Sequence, residues 1–140
     1  MEKINKLKKL FKYEGIDGYL VPKNDEHFGE YVNDNEDRLK YLTNFSGSFG
    51  LALILRQKNY LFVDGRYTLQ ANIQSGKVFK IKTIPNDSPK TVLKKKKIKI
   101  GFDPKLFTKK SLNFFFKKTD CEVVPVKENL IDRIWNKSKK

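Results

Sequence analysis

The 140-residue sequence is short of the residue types that build most self-sufficient active sites. It contains one cysteine, Cys121, and one histidine, His27. An intrachain disulfide is therefore impossible, and no His-x-x-x-His or Cys-x-x-Cys pair is present to hold a metal ion. The segment around Ser48 lacks the G-x-S-x-G pattern of a nucleophile elbow, and there is no glycine-rich phosphate loop of the P-loop or Rossmann type. We expect no catalytic residue, no metal ligands and no cofactor of its own in this chain.

Long apolar runs are also missing. The longest are about five residues, against the roughly 20 that span a bilayer. The N-terminal segment is rich in lysine and has no apolar core of the signal-peptide kind. Together with the single cysteine, which fits a reducing compartment, these features predict a soluble cytoplasmic protein that does not associate with membranes.

Arginine is scarce in a chain that is otherwise strongly basic. Of the 30 basic residues four are Arg, so 26 are Lys, and against 16 acidic residues the formal net charge is +14. Such a charge suggests an acidic partner such as nucleic acid. Base recognition favours the planar guanidinium, however, and lysines spread along the chain are typical of a solvated surface. We therefore keep a basic nucleic-acid-binding domain only as a lesser alternative.

The pattern of apolar residues predicts strands that alternate with helices. Helices are predicted at residues 2–14, 38–42, 67–74, 89–96 and 109–118 and from 130 onward, with a helical turn at 27–32. Strands are predicted at residues 19–21, 51–55, 60–63, 78–84, 98–102 and 122–126. The strands at 51–55 and 60–63 are close enough to form a hairpin, which makes at least one strand antiparallel. This order is typical of a three-layer α/β fold with a mixed sheet and helices on both faces.

The last residues of the sequence allow two interpretations. Residues 129–135 have the apolar spacing of a buried helix that Asn129 would cap, and Trp135 calls for a surface to bury against. The helix either folds back on its own domain or leads into another one. We divide the chain into a domain at 1–128 and, at 129–140, the start of a linker toward a second domain.

Several short motifs occur in a fixed order. They are D-x-H-x-x-E-Y at 25–31, L-T-x-F-x-G-S-x-G at 42–50, D-G-R-Y at 64–67 and N-L-I-D-x-I-W at 129–135. Together they resemble the creatinase/prolidase N-terminal domain, most closely that of the long, three-domain aminopeptidases P. The sequence departs from the family at Gly29, where Ser is usual, and at Asn44, where Gly is usual.

The resemblance implies a ribonuclease H-like fold with a mixed sheet of five or six strands. It also implies that the catalytic site, with two divalent ions such as manganese or zinc, belongs to a C-terminal domain that this chain lacks. The chain would then be the N-terminal domain of an X-Pro aminopeptidase, a metallopeptidase that acts on peptides with proline at the second position. It would shape the substrate cleft, assist dimerisation and be inactive alone.

The motifs supply the candidate site residues. In the resembling enzymes the arginine that matches Arg66 reaches toward the peptide substrate. The structural alternative is an ion pair of Arg66 with Asp64 or with another carboxylate of the fold. His27 could line the same cleft. The remaining motif residues are interpreted as structural, in a tight turn and a tight loop near Arg66: Asp64, Gly65, Tyr67, Gly47, Ser48 and Gly50.

Two further interpretations stay open. The chain could be a free-standing protein-interaction module, or the non-catalytic subunit of a split peptidase whose catalytic half is encoded separately. Prolidase and creatinase activities are alternatives within the same superfamily, because the residues that distinguish them belong to the catalytic domain.

Overall fold

A computed structural model describes residues 2–23, 37–47, 49–84, 86–94, 96–116 and 119–135. Within these ranges the α-helices are α1 (Glu2–Glu14), α2 (Arg38–Thr43), α3 (Thr68–Ser75), α4 (Pro89–Val92), α5 (Lys109–Phe116) and α6 (Leu130–Ile134). The six strands are β1 (Gly18–Pro22), β2 (Leu51–Leu55), β3 (Asn59–Asp64), β4 (Lys80–Ile84), β5 (Lys99–Phe102) and β6 (Glu122–Pro125). The predicted turn at 27–32 lies outside the described residues.

Local signals in the sequence set the ends of several helices. Helix α1 buries Leu7 and Phe11 on one face, and the chain leaves it through Gly15, whose φ of +69° suits glycine. Helix α6 begins at the predicted cap, since the side chain of Asn129 accepts a hydrogen bond from the Ile131 amide. Helix α2 is capped in the same way by Asp37.

The six strands form one mixed sheet in the order β4-β3-β2-β1-β5-β6. Strand β2 pairs antiparallel with β1 and β3, and every other pairing is parallel. Five strands therefore end at one edge of the sheet, which we call the carboxyl edge, and begin at the opposite amino edge. Strand β2, the exception, begins at the carboxyl edge.

Apolar side chains pack on both faces of the sheet, as the strand–helix alternation predicts. On one face, helices α1, α2, α3 and α6 cover residues such as Leu61 and Val63. On the other face, Leu53 and Phe62 pack with side chains from around α4 and α5. The predicted three-layer α/β fold is confirmed, with six strands in the sheet.

Some predicted boundaries differ from the structure. Helix α4 ends at Val92 rather than at residue 96; continuing the helix would place Lys90 and Lys94 four residues apart on one face, where like charges are unfavourable. Strand β4 begins at Lys80 rather than at 78, because Val78 and Phe79 form hydrogen bonds with Ser75 at the end of α3. Helix α3 begins at Thr68, one residue later than predicted, after a 3₁₀ turn at Gly65–Tyr67.

Helix α6 packs against the rest of the fold. Leu130 and Ile131 are fully buried in the same core as α1. Arg38 of α2 forms a two-point salt bridge with Asp132, with Nε–Oδ1 at 2.8 Å and Nη2–Oδ2 at 2.9 Å. Within the described residues, α6 thus packs on the domain that it follows in sequence. No helix in the described ranges has the length and apolar character needed to cross a membrane.

Candidate functional site

The sheet topology brings two of the sequence motifs together at the carboxyl edge. Residue Asp64 ends β3 there, and Leu51 begins the antiparallel β2 at the same edge, opposite Phe62. The loop that leads into β2 therefore lies beside the turn that leaves β3. This is the edge at which open α/β sheets commonly bind ligands.

Arg66 and Asp64 form the polar centre of this region. The Asp64 carboxylate caps the 3₁₀ turn, accepting from the Arg66 amide at 2.9 Å and from Arg66 Nε at 3.2 Å. The backbone hydrogen bond, then the side-chain hydrogen bond and charge of Arg66, hold the pKa of the Asp64 carboxyl below its ordinary value. The ion pair of Arg66 with Asp64 is present. It involves Nε of the guanidinium, and the Arg66 side chain remains 75% exposed.

The aromatic rings of Phe45 and Tyr67 join the two motifs. Phe45 is fully buried and meets Tyr67 edge-to-face, with ring centroids 6.0 Å apart. The guanidinium of Arg66 lies 5.4 Å from the Tyr67 ring centroid, within the range of a cation–π contact. The loop thereby supports Tyr67, which in turn lies against Arg66.

The glycines of the loop are needed for close approach. A Cβ on Gly47 would collide with the Phe45 ring, and one on Gly50 would come within 2.8 Å of Leu39 Cδ2. A Cβ on Gly65 would meet only Thr83 Cγ2, at 3.7 Å, which is an ordinary van der Waals contact. Gly47 and Gly50 are thus fixed by packing on Phe45 and Leu39, whereas the bend at Gly65 has room for a side chain.

Asn44 shows why one departure from the family pattern is tolerated. It is the C-cap of α2 and has a φ of +68°, in the left-handed region. Glycine is the usual residue at such a position, and asparagine is among the few others that adopt it readily. The replacement therefore preserves the backbone conformation that leads into the loop.

Sequence reasoning missed a polar network that ties the loop to α3. Ser46 Oγ accepts hydrogen bonds from Gln70 Nε2 at 3.0 Å and Gln74 Nε2 at 2.9 Å, and the Ser46 amide donates to Gln74 Oε1. The spacing of the two glutamines, four residues apart on a helix, is a signal that could have indicated a shared face. Their partner Ser46, 24 and 28 residues away in the chain, could not be identified from the sequence.

Helix α3 also exposes two large apolar side chains that the sequence analysis did not single out. Leu69 is 75% and Ile73 is 76% exposed. Four residues apart, they lie on one face of the helix that begins just after Arg66. We call this pair the α3 apolar stripe.

Two of the predicted site residues cannot be placed. His27 and Ser48 lie outside the described residues, as does Gly29. Among the residues that the structure does describe, no three or more His, Cys, Asp or Glu side chains are grouped so that they could hold a metal ion.

The chain resembles known proteins over nearly its whole length. The family model described as the creatinase/prolidase N-terminal domain matches residues 3–134. A protein of Coprinopsis cinerea named "probable Xaa-Pro aminopeptidase P" is 37% identical over 92% of this chain. That match covers 22% of the relative, and the chain spans about a quarter or less of the similar curated relatives.

Solved structures show the same relationship. The X-prolyl aminopeptidase of Caenorhabditis elegans, described as a cytosolic enzyme with a di-nuclear active site, superposes with a TM-score of 0.85 at 28% identity. The match covers 99% of this chain and 26% of that enzyme. The N-terminal domain of the peptidase PepQ from Mycobacterium tuberculosis superposes with a TM-score of 0.73 at 21% identity. The match covers 96% of this chain and 98% of the PepQ chain, so the two share the fold.

These matches agree with the family that the motifs resemble and with the six-stranded mixed sheet. The chain corresponds to the N-terminal domain of proteins of the aminopeptidase P type. It belongs to the creatinase/prolidase N-terminal domain family.

Proposed function

We propose that this chain serves as the non-catalytic N-terminal domain of an X-Pro aminopeptidase and that Arg66 contacts the peptide substrate. The observation that carries the proposal is the position of Arg66 within a family-matched fold. It follows β3 at the carboxyl edge, its backbone is fixed by the Asp64 cap, and its side chain is 75% exposed. A guanidinium in that setting can donate two hydrogen bonds to a peptide carbonyl or carboxylate.

The α3 apolar stripe supports a contact between this surface and a catalytic part. Leu69 and Ile73 expose about three-quarters of their surface in this chain, on the helix that begins after Arg66. Burying such side chains against a partner is favourable, at about 25 cal/mol per Å² of apolar surface. A catalytic part seated on the stripe would hold Arg66 beside the substrate cleft. It could be a covalently joined domain or, as the second possibility, a separately encoded subunit.

The metal ions of the full enzyme would belong to that catalytic part. The C. elegans neighbour is described as having a di-nuclear active site. Two divalent ions, manganese or zinc, would supply the metal-activated hydroxide for hydrolysis. This chain's residues would bind and orient the peptide, with His27 as a further cleft residue. We further propose that the full enzyme is a cytoplasmic homodimer. It would cleave the bond before proline in the manner of an X-Pro aminopeptidase, rather than act as a prolidase or creatinase.

The first experiment is an assay of the purified chain on an Xaa-Pro-Pro peptide with added Mn²⁺ or Zn²⁺. We expect no turnover above the background of a heat-denatured sample. Robust metal-dependent hydrolysis would overturn the division of roles between this chain and a catalytic part.

The second experiment tests Arg66 in a chimera in which this chain replaces the matching region of the C. elegans enzyme. We expect Arg66→Gln to lower kcat/KM on an Xaa-Pro-Pro peptide by about tenfold or more, as for loss of a charge-assisted hydrogen bond. Arg56→Gln is the matched control, because Arg56 also pairs with a neighbouring aspartate, Asp17, but at the amino edge of the sheet. Equal activity of both variants and the parent chimera would refute a substrate contact by Arg66.

A further inference from the structure

The two edges of the sheet differ in charge. At the amino edge, six lysines lie at the first position of a strand or within the three residues before one. We call them the basic rim: Lys58 before β3, Lys77 and Lys80 at β4, and Lys96, Lys97 and Lys99 at β5. At the carboxyl edge, the described residues that end or follow strands are balanced, with four cations and four carboxylates: Lys23, Arg66, Lys105, Lys127, Asp64, Asp87, Asp103 and Glu128. Of the two edges, the amino edge thus carries the excess of positive charge.

The acidic groups at the amino edge leave this charge uncompensated. Asp17, before β1, accepts from Arg56 Nε at 3.2 Å and from the Lys99 amide at 2.9 Å. Asp120 and Glu122 lie at the outer strand, β6. All six rim lysines are exposed, and none of the salt bridges within the described ranges involves one of them.

The basic rim follows the edge of the sheet as a row, and a groove lies within that row. From β4 to β5 there are four strand spacings, or about 19 Å at roughly 4.8 Å each. Between Lys58 on one side and Lys96 and Lys97 on the other, a groove of about 390 Å³ has Leu55 and Tyr60 among its lining residues. A linear row of cations beside a groove matches a linear polyanion, whereas an anionic membrane would be matched by a flat basic face.

We propose that the basic rim binds the phosphate backbone of a single-stranded nucleic acid. Lysine is a compact point charge that neutralises phosphates without the bidentate geometry used to read bases. Tyr60, the aromatic residue in the groove, is only 7% exposed and offers little surface for base stacking. The binding is therefore independent of base sequence and depends strongly on salt. It uses the edge opposite Arg66 and does not rest on the function proposed above.

The test is fluorescence anisotropy of the full chain with a labelled 12-nucleotide single-stranded oligonucleotide, from 50 to 300 mM salt. Three or four neutralised phosphates predict a slope of log K against log salt of about −2 to −3, since each contributes about −0.7 for a single strand. The triple variant Lys58→Gln, Lys96→Gln, Lys97→Gln should bind at least about tenfold more weakly at 50 mM salt and reduce the magnitude of the slope by about 2. Its melting temperature should match that of the parent, because all three side chains are exposed.

A second triple variant serves as the control, because it has the same net charge as the first triple variant. In Lys105→Gln, Lys109→Gln, Lys110→Gln, three exposed lysines are removed away from the rim, and we expect binding close to that of the parent. An equal loss in both triples would show that net charge alone attracts the oligonucleotide and would overturn the proposal. So would tighter binding of poly-glutamate or of phosphatidylserine vesicles than of the oligonucleotide, since the rim would then suit an acidic protein or a membrane.

Discussion

The indole of Trp135 stacks on the ring of Tyr41, with the ring centroids 4.5 Å apart and the planes inclined by 16°. The Tyr41 hydroxyl donates to the carbonyl of Ile134, and Lys3 Nζ lies 4.2 Å from the centroid of the Tyr41 ring. The end of the described chain is thus held by α1 and α2. Of the two interpretations of residues 129–135, the structure has the helix fold back on its own domain; the division of the chain at residue 128 stays a prediction.

Truncation of the Ile131 side chain tests whether α6 folds together with the rest of the domain. Ile131 is fully buried between α6 and the core, so Ile131→Ala should lower the free energy of unfolding by about 2–5 kcal/mol. Arg133→Gln is the control on the same helix, because its salt bridges with Glu14 and Glu128 are partly exposed and worth about 1 kcal/mol at most. Urea denaturation followed by circular dichroism measures both. An unchanged midpoint for Ile131→Ala would mean that α6 is a linker outside the folding unit.

The loop before β2 supports a prediction about glycine. Gly47→Ala should lower the free energy of unfolding by about 1–3 kcal/mol, because the new methyl group would overlap the buried Phe45 ring. Gly65→Ala should change it little, since the added Cβ meets only Thr83 Cγ2 at 3.7 Å. Thermal unfolding of the two variants measures the contrast. A greater loss for Gly65→Ala would show that the D-G-R-Y turn, and not the loop, is the constrained element.

Local patterns in the sequence predicted most of the fold. Asn129 and Gly15 act within a few residues of the helix ends that they define, so they could be read directly. The hairpin of β2 and β3 was predictable for the same reason. In contrast, the bond of Ser46 to Gln74, the exposure of Leu69 and the 3₁₀ turn depend on which elements pack together. Such long-range contacts leave no periodic signal, and the exposure of Arg66 could not be inferred without them.

Buried Tyr19 predicts how stability depends on alkaline pH. Its hydroxyl oxygen accepts from the Leu130 amide at 3.2 Å, and burial, reinforced by the nearby Asp103 and Asp132, raises the pKa of the phenol well above its ordinary value. Because the folded-state pKa is higher than the unfolded one, the stabilisation is complete below about pH 10 and is lost as pH rises above it.

The Tyr19→Phe variant separates this effect from the other groups that titrate at high pH. At pH 7 it should be less stable by about 1–3 kcal/mol, because a buried amide loses its acceptor. Between pH 9 and 11 its free energy of unfolding should fall less steeply than that of the parent, since the remaining tyrosines and lysines are common to both. Urea denaturation at a series of pH values gives both curves, and parallel curves would show that Tyr19 is not the titrating group.

Asp64 and Arg66 provide a prediction at acidic pH that concerns the candidate site. The pKa of the Asp64 carboxyl is lowered first by the backbone amide of Arg66 and second by the hydrogen bond from its side chain. Arg66→Gln removes the guanidinium but leaves the amide, so the pKa should rise only partway toward its ordinary value of about 4. Asp64 remains charged to a lower pH when folded than when unfolded. Its contribution to stability is therefore present above about pH 4 and is lost as pH falls through the folded-state pKa.

Carbon-detected NMR of the Asp64 carboxyl from pH 2 to 7 measures this pKa in both proteins. Arg56→Gln is the control, because it leaves both hydrogen bonds from Arg66 to Asp64 in place and should leave the Asp64 pKa unchanged. A complete return of the Asp64 pKa to the ordinary value would show that the guanidinium of Arg66, and not the backbone amide of the turn, lowers this pKa. In that case Arg66 would be committed to Asp64 in the folded chain, and a peptide substrate would have to displace that carboxylate before it could bind.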